Sequence, residues 1–259
     1  NLNKLSIRLY KILLKLKGLK FIPYIMLNFP NIHLNIAGVV GVGKSSLCNI
    51  LAKQDFYIFH EPVANNELLA KFYADKQRYS LASQLYFLNK RFEMYQQTDQ
   101  KNKSIIDRSI LEDASFAKML NISGQLSDIE YKIYQEVFQN YIQHIKKPDL
   151  MVYLKIKPEN AIQRIKMRGR DYELSQDPQY WYDLNNTYEQ YFSTYQLTNL
   201  LTIQVDELDF VHNSEHQAKV LHLIASACQV ERSHQTIGTI EQSPLASLRQ
   251  IIDKAGQKC

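Results

Sequence analysis

The chain has 259 residues, 45% of them hydrophobic and 22% charged, with a formal net charge of +5. That length allows one sizeable buried core, argues against a second full domain, and comes with the composition of a globular protein. The mild positive charge suits a protein that handles nucleotides without arguing for nucleic acid. Three cysteines without metal-like spacing speak against a disulfide framework or zinc site and for a reducing compartment.

Residues 1–30 carry Lys4, Arg8, Lys11, Lys15, Lys17 and Lys20 and no acid, with Leu5, Ile7, Leu9, Ile12, Leu13 and Leu16 between them. Three readings stand: a basic leader outside the core, an organelle-targeting peptide, or an amphipathic helix for a membrane surface or partner. A cytoplasmic location is expected, or a mitochondrial one if the leader is a targeting peptide. No run reaches the ~18–20 apolar residues that span a bilayer, so no membrane is expected. HLNIAG (33–38) predicts a strand, and Ser45 to Lys53 a helix. YIFH (57–60) is a second strand, ending at Glu61. Helices follow over 66–76 and 79–97, then a third strand at SIID (104–107). Residues 111–120 and 127–146 are helical, and LMVYLKI (150–156) is a fourth strand. A helix over 159–168, a polar turn, a helix over 179–196 and a strand at LLTIQV (200–205) complete the domain. No Phe, Tyr or Trp occurs after Phe210, so 226–259 is expected to be a polar tail, leaving 31–225 as the domain. Strands alternating with helices predict an α/β three-layer fold: a five-stranded parallel sheet with helices on both faces and ligands at the strands' carboxyl ends.

GVVGVGKS, Gly38 to Ser45, matches G-x-x-x-x-G-K-[ST] at every fixed position, after a strand and before a helix. Gly38, Gly41 and Gly43 let backbone N–H groups turn inward around phosphates, and the helix N-terminus, with Ser46 beside Ser45, adds positive potential. Lys44 is placed to reach the β- and γ-phosphates of ATP, and Ser45 to ligate Mg²⁺. Absence of an N-K-x-D motif turns the reading from GTPases toward small-molecule kinases. Glu61 closes the second strand before Pro62, where a carboxylate aimed into the cleft accepts a proton from an attacking hydroxyl. Asp107 and Arg108 end the third strand, Asp107 toward Mg²⁺ and Arg108 toward the transferred charge. Arg164 and Arg168 share a helix face by i,i+4 spacing, and Arg170 follows the Gly169 hinge. Together they predict an Arg-rich lid over phosphates, although a solvated basic helix end reads the same way.

This set resembles the P-loop deoxynucleoside kinases, the group of the deoxycytidine, deoxyguanosine and deoxyadenosine kinases. The likeness runs over roughly 33–225: the phosphate loop, EPV (61–63), FYAD (72–75), Gln84 with Arg91 seven residues on, DRS (107–109), Asp113 and RIKMRGRDYE (164–173). It implies that Glu61 is the general base for the 5′-hydroxyl, assisted by Arg108, and that Tyr73 and Glu173 hold the sugar 3′-hydroxyl. Gln84 would pair with the base edge, with Arg91 and Asp113 lining the base pocket. Phe87 could line the same pocket, and the 206–210 segment, with Asp206 and Phe210, would hold the donor adenine. A homodimer through helices near 79–97 and 111–146 is also implied. Two departures bear on base choice: Ala117 stands where the family usually has an aromatic, with Phe116 one residue earlier, and Asn66 stands where an aromatic often follows EPVA-x. Gln84 alone suits any base; the Arg91/Asp113 pair resembles the cytidine and purine kinases, with purine slightly favoured. The rival is a nucleoside-monophosphate kinase of the thymidylate kinase type, and behind it a non-catalytic nucleotide-binding module.

Overall fold

The computed structural model describes residues 27, 29–61 and 67–230. The readings made for the basic leader, for the tail from 231 onward and for Asn66 lie outside these residues. Five described strands, β1 (His33–Ala37), β2 (Tyr57–Phe59), β3 (Ser104–Asp107), β4 (Leu150–Lys155) and β5 (Asn199–Gln204), pair in parallel in the order β2-β3-β1-β4-β5. The central strands are buried almost without interruption, as LMVYLK in β4 shows, whereas edge strands β2 and β5 keep exposed positions. Leu34, Ile36, Ile105 and Val152 lie at the core of this sheet, each buried to within 1%. Burying each such side chain stabilises the fold by roughly 1.5–3 kcal/mol.

The helices are α1 (Lys44–Ala52), α2 (Glu67–Ala74), α3 (Lys76–Thr98), α4 (Asp113–Ile122), α5 (Asp128–Gln143), α6 (Pro158–Arg168), α7 (Asp171–Leu174), α8 (Pro178–Ser193) and α9 (Ser214–Val230). The β1→β2 crossover runs one way across the sheet and the later crossovers run the other. Right-handed connections therefore put α1 on one face and the following helices on the opposite face. Because the direction reverses at β1, its carboxyl end opens a crevice between diverging chains, and the phosphate loop lies there.

Several boundaries differ from the sequence expectation for local reasons. The break between α2 and α3 falls at Asp75, whose carboxylate accepts the Arg78 N–H at 3.1 Å as a helix N-cap. A 3₁₀ turn, Ile110–Glu112, precedes α4. The polar turn after Gly169 contains the one-turn helix α7. α9 runs beyond residue 225 and buries Cys228, so the ordered chain continues past the expected start of the tail. No helix of the described residues is long and apolar enough to cross a membrane.

Candidate active site

Gly38, Gly41 and Gly43 all have left-handed φ values, 137°, 82° and 105°. Space is equally restrictive: a Cβ on Gly38 would lie 2.6 Å from the Leu154 carbonyl oxygen, and one on Gly41 2.7 Å from that of Ala161. No residue but glycine meets both demands. Gly43 starts α1, and Lys44 behind it donates to the Gly38 and Val39 carbonyls at 2.8 and 3.0 Å. Burial, and then the nearby Arg108, lower the Lys44 pKa, while Glu112, Glu61 and Asp107 oppose them.

Facing this loop, the ends of β2 and β3 bring the acceptor-side charges together. Glu61 Oε1 lies 2.5 Å from Arg91 Nη2 and 3.6 Å from Arg108 Nε, with its side chain 16% exposed. Burial alone would raise the Glu61 pKa, but Arg108, Arg91 and Lys44 together outweigh it and hold the carboxyl below its ordinary value. Glu61 is therefore ionised at neutral pH, as a general base must be. Arg91 also reaches Asp113 Oδ1 at 2.7 Å, bridging the two acids. Arg108 takes a left-handed φ of 76°, which turns its guanidinium back to donate to the Tyr188 hydroxyl at 2.9 Å and to cover the Phe116 ring.

A single cavity of about 400 Å³ is lined by both sets, within the usual range for a small-ligand site. Gly41, Gly43, Lys44, Ser45 and Ser46 line it with Glu61, Asp107 and Arg108. So do Tyr73, Gln84, Phe87, Arg91, Asp113 and Glu173. Tyr73 stacks on Tyr172 at 5.3 Å, and burial and Glu173 raise its pKa, so the phenol stays protonated. Phe116 lines the cavity against Phe72, while Ala117 is wholly buried outside it. The aromatic missing at 117 is thus supplied one residue earlier on α4.

The three predicted lid arginines line the cavity too. Arg164 donates to the Val42 and Val205 carbonyls at 3.0 and 2.9 Å, tying α6 to the phosphate loop and the end of β5. Arg168 and Arg170 pair with buried Glu173, beyond the Gly169 cap of α6. Asp206 and Phe210 are not in the cavity wall. Asp206 accepts from the Lys157 N–H and the Asn160 amide at 2.9 and 2.6 Å, bracing the start of α6, and Phe210 packs beneath Gly43. Gly38 is also outside the wall, and its N–H donates to Glu112 Oε2 at 2.9 Å.

His60 and Glu112 are among the residues of the site that went unpredicted. His60, next to Glu61, lines the cavity. Glu112 is wholly buried, and burial pushes its pKa up to about 7 against Arg108 and Lys44. The spacing Ser109-x-x-Glu112 is a capping-box signature, so the sequence did carry a signal for it.

A nucleotide-phosphate loop facing an ionised carboxylate and a buried arginine across one cavity defines a P-loop phosphotransferase with a small hydroxyl-bearing acceptor. The family described as deoxynucleoside kinase matches residues 34–229, and the chain belongs to it. It is a phosphotransferase that acts on deoxynucleosides and binds a nucleotide donor of the ATP type. It is 37% identical over 196 residues to the deoxyadenosine kinase of Lactobacillus acidophilus, covering 72% of this chain and 91% of that one. To the deoxyadenosine/deoxycytidine kinase of Bacillus subtilis it is 34% identical over 201 residues, 76% and 93% of the two chains. A solved deoxyadenosine kinase from M. mycoides with bound dATP superposes with a TM-score of 0.67 at 28% identity, covering 74% of this chain and 98% of that one. Membership sets aside the monophosphate kinase and the non-catalytic module.

Proposed function

We propose that the enzyme transfers the γ-phosphoryl of ATP to the 5′-hydroxyl of a deoxynucleoside, with deoxyadenosine the preferred acceptor and deoxycytidine next. The observation that carries the base preference is Asp113. Its Oδ1 is held by Arg91, while Oδ2 is buried without a hydrogen-bond partner. An ionised carboxylate oxygen only accepts, so the base edge it favours carries an amino group, as adenine and cytosine do. Gln84 on α3 supplies a donor for the adjoining ring nitrogen. Guanine is the second reading, because burial raises the Asp113 pKa and a protonated carboxyl would donate to its carbonyl oxygen. The deoxyadenosine kinase of L. acidophilus and the deoxyadenosine/deoxycytidine kinase of B. subtilis fit the first reading by name, and the deoxyguanosine kinases of the same two organisms fit the second.

Glu61 takes the 5′-hydroxyl proton as the oxygen attacks the γ-phosphorus and the bond to the β,γ-bridging oxygen breaks, releasing ADP. Arg108 and Lys44 balance charge on the transferred group, and Arg164, Arg168 and Arg170 close over the donor phosphates. Tyr73 and Glu173 fix the 3′-hydroxyl. The residues present also fit Mg²⁺: Ser45 and Asp107 line the same cavity, Asp107 is buried, and its Oδ1 is left without a partner. When bound there by Ser45 and Asp107, the ion would neutralise developing phosphate charge. A homodimer is proposed through the α3–α5 side, where Ile122, Ile129 and Ile133 are exposed. A cytoplasmic location is proposed, or a mitochondrial one if the leader targets it.

The test is a labelled-ATP assay ranking the four deoxynucleosides by kcat/KM. Deoxyadenosine first supports the reading; thymidine first would overturn the role given to Asp113.

A further inference from the structure

β1 and β3 are neighbours in the sheet, with Ile36 opposite Asp107. Beyond that pair the chains part. One becomes the phosphate loop at Gly38, and the other turns through Arg108 in its left-handed conformation. Strand pairing ends here, so backbone N–H groups on both sides need other acceptors. One side chain serves two of them. Glu112 accepts the Gly38 N–H on Oε2 at 2.9 Å and the Ser109 N–H on Oε1 at 3.1 Å. Ser109 aims it in return, closing the capping box while its own hydroxyl accepts from the Asn35 amide at 2.7 Å. Glu112 does not line the cavity and so is not a ligand group.

We propose that Glu112 is a positioning residue for phosphoryl transfer. Its carboxylate joins the first peptide of the donor loop to the peptide after Arg108, and so keeps the γ-phosphate cradle in register with the acceptor-side guanidinium. Only a carboxylate of this length offers a separate acceptor to each N–H. A glutamine would turn its amide N–H₂ toward one of them, leaving a buried donor unsatisfied and one end of the link broken. Arg108 and Lys44, the two cations whose charge acts on Glu112, are the groups whose placement the link sets. The inference rests on assigning Gly38–Ser45 to the donor and Arg108 to the transferred group.

The experiment compares Glu112→Gln with wild type, varying ATP and deoxyadenosine separately, with nucleoside binding followed by calorimetry in the absence of donor. The ATP KM should rise and kcat fall, each by at least about fivefold, while the deoxyadenosine Kd stays within about twofold. Donor constants like wild type in a folded variant overturn the inference. Equal weakening of ATP and nucleoside also overturns it, because that is general loosening of the core. Should Glu112→Gln not fold, Ser109→Ala keeps the carboxylate and loosens its aim. It must then show the same donor-selective loss at smaller size, and unchanged donor kinetics refute the link. Lys44→Ala runs in parallel: intact ATP affinity in that variant would show that the donor assignment itself had failed, and the inference with it.

Discussion

Replacing Glu61 by glutamine removes the proposed proton acceptor while keeping the side chain's size. In the folded protein this carboxylate sits 2.5 Å from Arg91 and 3.6 Å from Arg108, and no phosphate-loop hydrogen bond depends on it. Loss of a general base should lower kcat by about 10²–10⁴-fold, which is about 2.7–5.4 kcal/mol of barrier. ATP affinity should stay within about threefold, since the donor-side contacts survive. The stability cost should be about 1–3 kcal/mol, because the two guanidiniums lose a charged partner and retain only an amide oxygen. The sign of the pH effect follows from the lowered Glu61 pKa, against an ordinary value of 4.5. A carboxyl depressed in the folded state adds stability that is complete above its unfolded pKa and is lost as the pH falls through the folded one. Wild type should therefore lose stability on acidification below about pH 4.5, and Glu61→Gln less steeply. ADP release coupled to deoxyadenosine, calorimetric ATP binding and thermal unfolding at several pH values measure all three effects. A variant that keeps kcat within about threefold would refute Glu61 as the base.

Gly38→Ala should cripple donor binding, because φ is 137° and the new Cβ would meet the Leu154 carbonyl at 2.6 Å; wild-type ATP affinity in a folded variant would contradict the loop geometry. Tyr73→Phe keeps the stacking on Tyr172 and removes the phenol. The deoxyadenosine KM should rise about 3–10-fold while a 3′-deoxy analogue is handled almost as well by the variant as by wild type. An equal loss for both acceptors would mean that Tyr73 shapes the pocket without touching the 3′-hydroxyl.

Much of the fold was legible in the chain because the signals are local. Five short apolar runs alternate with helical segments, and that pattern alone implies a parallel sheet with helices on both faces. The phosphate loop is legible for the same reason, since its glycines, Lys44 and Ser45 act within eight consecutive residues. Glu112 was equally available through its capping-box spacing but carried no hint of its reach to Gly38, 74 positions away.

What the sequence determined by itself is therefore the set of residues that local spacing singles out: the phosphate loop, the strand-end Glu61, the Asp107–Arg108 pair and the arginines around Gly169. Tertiary structure alone decided which of these meet. Arg91 was paired by resemblance with Asp113, yet in the fold it also grips Glu61, thirty residues distant. Position 116 rather than 117 faces the cavity, because a one-residue step on a helix rotates a side chain by about 100°. Asp206 braces the start of α6, and Phe210 packs against the phosphate loop at Gly43. These outcomes depend on packing between segments far apart in the chain, where hydrogen-bond reach and burial choose the partners.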